Sequence, residues 1–144
     1  MSRKNIEEVV LFQIEKTSKT SKIYSQRDFD KLNLGITIEQ WIILKIIEES
    51  KNISQKELAK KSLRDPASIT RTLDLLEKKD LVRREKVLNN RRQYHIILTN
   101  NGAEFVNKNM PLITKHREKS IEGLTNKEIE DLKRILKKIQ SNME

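Results

Sequence analysis

The sequence has no cysteine. That excludes a disulfide framework, thiolate metal sites, a cysteine nucleophile and any thiol-based redox switch. Three glycines and two prolines in 144 residues supply few of the breaks that an all-β fold or a long linker needs. Aromatic residues make up 4% of the chain, too few to build stacking platforms for single-stranded nucleic acid. The opening MSRKNIEEVVLFQIEK is charged almost at once and contains no long apolar run, so neither a signal peptide nor a membrane span is expected, and the cytoplasm is the expected compartment. His95 and His116 are the only histidines, and there is no Gly-rich phosphate loop, H-E-x-x-H or nucleophile elbow. No enzyme, metal site or cofactor is expected.

Charge is abundant and unevenly placed. The whole chain holds 30 Lys+Arg against 21 Asp+Glu, a net +9, and between Lys51 and Thr99 the count is 13 against 6, a net +7. The other 95 residues share only +2, from 17 against 15. Basicity that serves general solubility would spread along the chain, whereas a local excess beside helix and hairpin signals is the electrostatic footprint expected for phosphate binding. A hydrophobic content of 35% against an equal 35% charged describes a thin core wrapped in charged helices. The length fits a single domain, 1–144.

Helix starts are legible from capping boxes. Thr37 with Gln40, Ser54 with Glu57 and Thr125 with Glu128 are each S/T-x-x-E/Q pairs, in which the hydroxyl and the acid or amide satisfy orphan N–H groups reciprocally. Asp65-Pro66 marks a fourth start, Asp being a good N-cap and Pro having no N–H to lose at the first helical position. These signals predict helices over about 38–50, 55–62 and 66–79. Before them, Ile6, Val9, Val10, Gln13 and Ile14 with Leu11 and Phe12 predict an N-terminal helix apolar enough to bury more than one face; the polar run at 16–33 either continues it or loops out. After Leu81, VRREKV and QYHIILT read as two strands, with Asn89-Asn90 as the turn. A long helix follows Thr99, with a kink or break expected at Pro111. The last helix carries Ile129, Leu132, Ile135, Leu136 and Ile139 on one stripe.

The short second helix, tight connection and third helix followed by a basic hairpin describe a winged helix-turn-helix over 37–99: a mainly α fold with a small β-hairpin wing. At about 100° per residue, Ile69, Leu73 and Leu76 fall on one side of the 66–79 helix, and Ala67, Arg71, Asp74 and Lys78 on the other. In a helix-turn-helix the second helix enters the major groove by its N-terminal residues, here Ala67, Ser68, Thr70 and Arg71. Arg71 can offer two donors to guanine O6 and N7. Ser54 and Gln55 open the preceding helix, where a positive helix end suits phosphate. Arg64 in the connection, Arg83 and Arg84 on the first strand, and Arg91 and Arg92 at the hairpin tip complete the candidate set, the tip suiting a narrow minor groove. Taken singly, the strand cations fit a solvated face and Ser54 fits a helix cap; the order of the elements is what points to double-stranded DNA.

The strings SITRTLDLLEKKDLVRR at 68–84 and RRQYHIILTNNG at 91–102 resemble the MarR family of bacterial transcriptional regulators, S-x-x-T-R-x-x-D-x-L-E-x-x-G-x-[IV]-x-R followed by R-R-x-x-x-x-x-L-T-x-x-G. Thr37, Gln40 and Trp41 match the usual opening of the preceding helix. The resemblance implies that 66–79 is the recognition helix with Ser68, Thr70 and Arg71 at DNA, and that Arg92 is the principal wing arginine. It also implies a homodimer built from N- and C-terminal helical regions, 1–34 and 100–144. A dimeric repressor of a near-palindromic operator, relieved by a small aromatic or phenolic effector, is the function it suggests. Trp41 is the candidate for the border of an effector pocket, although a Trp on a helix beside Ile42, Leu44 and Ile47 is more often a core residue. Two positions depart from the family: Asn90 stands where Asp commonly precedes the wing arginines, and Asp80 where Gly is usual, which calls for a left-handed residue or a shifted helix end. The other function class weighed is a sequence-independent nucleic-acid-binding or architectural protein. A basic membrane-surface module fits less well, because the cations sit on short helices and a hairpin.

Overall fold

The four predicted caps close as hydrogen bonds. In the computed structural model, which describes residues 3–144 except the side chain of Arg91, the Thr37 hydroxyl accepts from Gln40 N at 3.2 Å while Thr37 N donates to the Gln40 side chain at 3.1 Å. Ser54 and Thr125 make the same reciprocal pairs with Glu57 and Glu128. Asp65 caps through Ser68 N at 2.8 Å, with Pro66 in the first turn. The helices they start are α2 (Ile38–Glu49), α3 (Gln55–Ser62), α4 (Pro66–Lys78) and α6 (Asn126–Met143); α1 (Val10–Leu32) precedes them and α5 (Asn100–Ser120) lies between α4 and α6.

Three strands, β1 (Ile53–Ser54), β2 (Val82–Val87) and β3 (Asn90–Leu98), form an antiparallel sheet in the order β1-β3-β2. Ile53 pairs with Ile96 and Val82 with Leu98; the β2–β3 register slips between Lys86 and Val87, so that Val87 faces Asn90. The turn is Leu88-Asn89, one residue earlier than the expected Asn89-Asn90. Asn89 takes the left-handed conformation at φ 68, as the tolerance of Asn allows, and Asn90 is thereby released into the strand. The two-residue β1 has no counterpart in the sequence reading, because two residues carry no periodicity.

The chain divides into two compact units, one through Met110 and the other Pro111–Glu144. In the first, Trp41, Ile43, Leu44, Ile47, Leu58, Ile69, Leu73, Leu76, Ile53, Val82 and Ile96 are buried. Burial of each Leu or Ile contributes about 1.5–3 kcal/mol, which is what locks α2, α3, α4 and the sheet into one lobe. In the second, the end of α5 and α6 are joined by a turn with Gly123 at φ 87, and α6 buries no residue.

At the ends one open alternative is decided and two expectations change. The polar run at 16–33 continues α1 to Leu32. The N-terminal apolar residues do not bury more than one face within the protomer: Phe29 is the one buried residue recorded in α1, while Ile6, in a short 3-10 turn ahead of the helix, Val10 and Leu11 are all more than half exposed. Pro111 lies inside α5, whose helical span runs unbroken from Asn100 to Ser120. Among the described residues no helix is long and apolar enough to cross a membrane.

The connection between α3 and α4 contains an uncommon residue. Leu63 is the C-cap of α3 at φ 60 and is 93% exposed. A left-handed conformation costs an L-residue about 1–2 kcal/mol, and glycine escapes that cost but gives back part of it as unfolded-chain entropy. Leu63→Gly is therefore expected to stabilise the protein by about 0.5–1 kcal/mol, read as a rise of roughly 2 °C in melting temperature. A lowered melting temperature would mean that Leu63 makes a stabilising contact its exposure does not reveal.

Candidate nucleic-acid interface

Helix α4 sorts its residues as its period requires. Ile69, Leu73 and Leu76 are fully buried, and Ala67, Thr70, Arg71, Asp74 and Lys78 are exposed. The Asp65 cap fixes the first turn, and its carboxyl is held below the ordinary carboxylate value, chiefly by the backbone N–H of Ser68, then by that residue's hydroxyl, with the charge of Arg71 adding less. Arg71 reaches back along the helix to donate from Nη2 to Ser68 Oγ at 3.3 Å. Among the described residues neither Arg71 nor Arg92 is in an ion pair, so both keep their charge for a partner.

Two candidate residues from different helices meet. Gln55, first in α3, donates from Nε2 to Thr70 Oγ1 at 2.6 Å, and Thr70 donates that hydroxyl's proton to Pro66 O at 3.1 Å. Ser54 is half-buried, with its hydroxyl accepting the cap bond from Glu57 N at 3.1 Å.

The remaining arginines divide. Arg64 lies 3.7 Å from Glu39 of α2, both side chains being about one-third exposed. Arg83 pairs with Glu85 on its own strand at 2.9 Å, in the open. Arg84 is bound twice, to Asp74 at 3.1 Å and to Glu77, and its side chain is 23% exposed. Expected at DNA, Arg84 instead fastens β2 to α4, because two carboxylates one helical turn apart on α4 take both of its terminal nitrogens. At the tip of the wing Arg92 is exposed, and its backbone N donates to Asn90 Oδ1 at 3.1 Å. The expected role of the Arg91 side chain lies outside the described residues.

The sequence model of the MarR family matches residues 36–94. A protein of unknown function from Listeria innocua is 30% identical, with 94% of this chain and 93% of that one covered and a TM-score of 0.69. The chain belongs to the MarR family. The wild-type MarR of E. coli, in its apo form, is 25% identical over 91% of this chain and 96% of its own, with a TM-score of 0.74. A MarR family transcriptional regulator from Streptomyces coelicolor in complex with DNA superposes at a TM-score of 0.87 with 20% identity, covering 99% of this chain and 94% of that one; identity that low speaks for the fold alone. The family match opens at the cap of α2 and closes within β3, so it takes in the whole helix-turn-helix and most of the wing.

Both departures from the MarR pattern find a local solution. Asn90 cannot form the ion pair an aspartate would, and its side-chain oxygen caps the backbone of Arg92 instead. Asp80 adopts the left-handed conformation at φ 58 that its place in the family calls for. Its backbone oxygen accepts from the Thr99 hydroxyl and its carboxylate from Asn101 Nδ2, so the residue that replaces glycine is tied down from α5.

Trp41 is corrected to a core residue. It is fully buried, its ring centre is 6.3 Å from that of Phe105, and its indole N–H has no partner among the described residues. A cleft of about 510 Å³ opens instead among Gln26, Phe29, Asn33, Thr37, Gln40 and Lys79, and Trp41 does not line it. Lys79 Nζ donates to Gly35 O across this cleft. The sequence carried no signal for it, since its walls come from the end of α1, the turn after it, the start of α2 and the residue that caps the end of α4.

Proposed function

We propose that the chain is a sequence-specific DNA-binding transcriptional regulator, acting in the cytoplasm as a homodimer and most simply as a repressor. The observation that carries the reading is the first turn of α4. A capped, positive helix end presents Ala67, Thr70 and an ion-pair-free Arg71 to solvent while Ile69 and Leu73 anchor the opposite face. In the major groove such a helix places Arg71 to offer two parallel donors to guanine, and the small residues permit close approach. Ser54 and the N-terminus of α3 suit phosphate, and Arg92 on the wing suits the adjacent minor groove. A relative of the same fold from S. coelicolor is solved in complex with DNA, in keeping with DNA as the partner.

Dimerisation is supported by apolar surface left open in each unit: Ile6, Val10 and Leu11 near the N-terminus, and Leu132, Ile135 and Met143 on α6. Two-fold symmetry sets two recognition helices roughly 34–36 Å apart and calls for a near-palindromic operator. A small aromatic or phenolic acid is the expected effector; it releases DNA only through tighter binding to a dimer spaced wrongly for the operator. The cleft beside Lys79 supplies a cation for such an acid.

Selection of bound sites from random or genomic DNA tests the function. A two-fold half-site at one-turn spacing is the expected product, and equal recovery of all sequences would favour the sequence-independent binder. The wing has its own test. Arg92→Ala is expected to lower affinity at every sequence and to reduce the slope of log K against log salt by about one; an unchanged slope would place the wing away from DNA.

A further inference from the structure

The hydrogen bond between Gln55 and Thr70 changes what Thr70 can say to a base. A threonine hydroxyl has one proton and two lone pairs. Here the proton goes to Pro66 O, so the atom of Gln55 that faces Oγ1 must be the amide nitrogen, and one lone pair is taken by it. Thr70 has no donor left. Its hydroxyl is fixed back along the helix with a single lone pair left to accept, and beside it this exposed residue offers its methyl. Resting on the reading that α4 enters the major groove, we infer that Gln55 and Thr70 form one specificity unit, in which Gln55 positions Thr70 to read the 5-methyl group of a thymine by apolar contact. A thymine methyl is the one apolar feature of the major-groove edge, and apolar side chains are its usual readers.

The unit is built from α3 and α4 together, so base choice at this position depends on a residue that itself need not touch a base. The side chain of Gln55 thereby acts through Thr70, while its backbone N–H stays at the positive end of α3.

Deoxyuridine keeps the hydrogen-bonding edge of thymine and removes only the methyl, which makes it the probe. With a selected operator in hand, thymines are replaced one at a time in both half-sites, and binding is measured for the wild type, Thr70→Ser, Thr70→Val and Gln55→Ala, each with its melting temperature. One thymine per half-site is expected to show about a fourfold loss on replacement, the worth of one buried methyl. Thr70→Ser should bind the thymine site more weakly and be indifferent to the replacement, and Thr70→Val should stay sensitive. Gln55→Ala should keep its melting temperature within a degree or two and lose most of the discrimination. Tight, specific wild-type binding with no sensitive thymine overturns the methyl readout and leaves the regulator reading standing. Full discrimination in Gln55→Ala overturns the positioning role. Failure to select any preferred site overturns the regulator reading itself.

Discussion

Replacing Gly102 by alanine is expected to lower stability by about 3 kcal/mol, the upper range for an overpacked site, and to depress the melting temperature by roughly 6–12 °C. A β-carbon at this position would stand 2.0 Å from the backbone oxygen of Leu81. That oxygen has nowhere to go, because it already accepts from Thr99 N at 3.1 Å, and Leu81 is itself buried. The glycine is needed for close approach, in the first turn of a helix where any other residue would have better propensity. Thermal or urea denaturation of the variant measures the effect. A loss under about 0.5 kcal/mol would mean that the junction of β2 and α5 yields easily.

Arg71→Ala is expected to weaken specific operator binding by about 1–3 kcal/mol, or roughly six- to 150-fold, and to relax the preference at one base pair of each half-site. Arg71 is exposed, makes only a 3.3 Å bond to Ser68 and belongs to no ion pair among the described residues, so its removal should cost the fold almost nothing. Fluorescence anisotropy on the selected operator and on single-base variants separates the possible roles. Loss confined to one base pair identifies a base reader; uniform loss across sequences would make Arg71 a phosphate contact and move base recognition elsewhere on α4.

The parts of the fold that were legible from sequence are those fixed by neighbours in the chain. Capping boxes close over three residues, and the Asp65-Pro66 start over three more, so the beginnings of α2, α3, α4 and α6 were readable to the residue. The buried stripe of α4 follows from its period. What escaped depends on residues far apart in sequence. Strand β1 exists because Ile53 and Ser54 meet β3 more than forty residues later. In sequence Arg84 is one more wing cation; only the fold brings Asp74 and Glu77 around it. Trp41 could have faced a cleft or a core, and only the position of Phe105 decides. Likewise, nothing in the one-dimensional pattern ties Gln55 to Thr70 across fifteen positions. The candidate groove-facing set came from the period of α4 and its place in the helix-turn-helix, and family resemblance agreed with it, yet neither could say how Asn90 and Asp80 would be accommodated; each is solved by a hydrogen bond of its own side chain.

Thr99 joins three segments with two atoms. Its N–H goes to Leu81 O, while its hydroxyl donates to Asp80 O and accepts from Gly102 N at 2.9 Å. The end of α4, the root of the β2–β3 hairpin and the first turn of α5 therefore have no way to open one at a time. In hydrogen exchange the amides of Thr99 and Gly102 should be released together, in one cooperative event, whereas the amides around the exposed tip at Leu88 and Asn89 should exchange ahead of them with little protection.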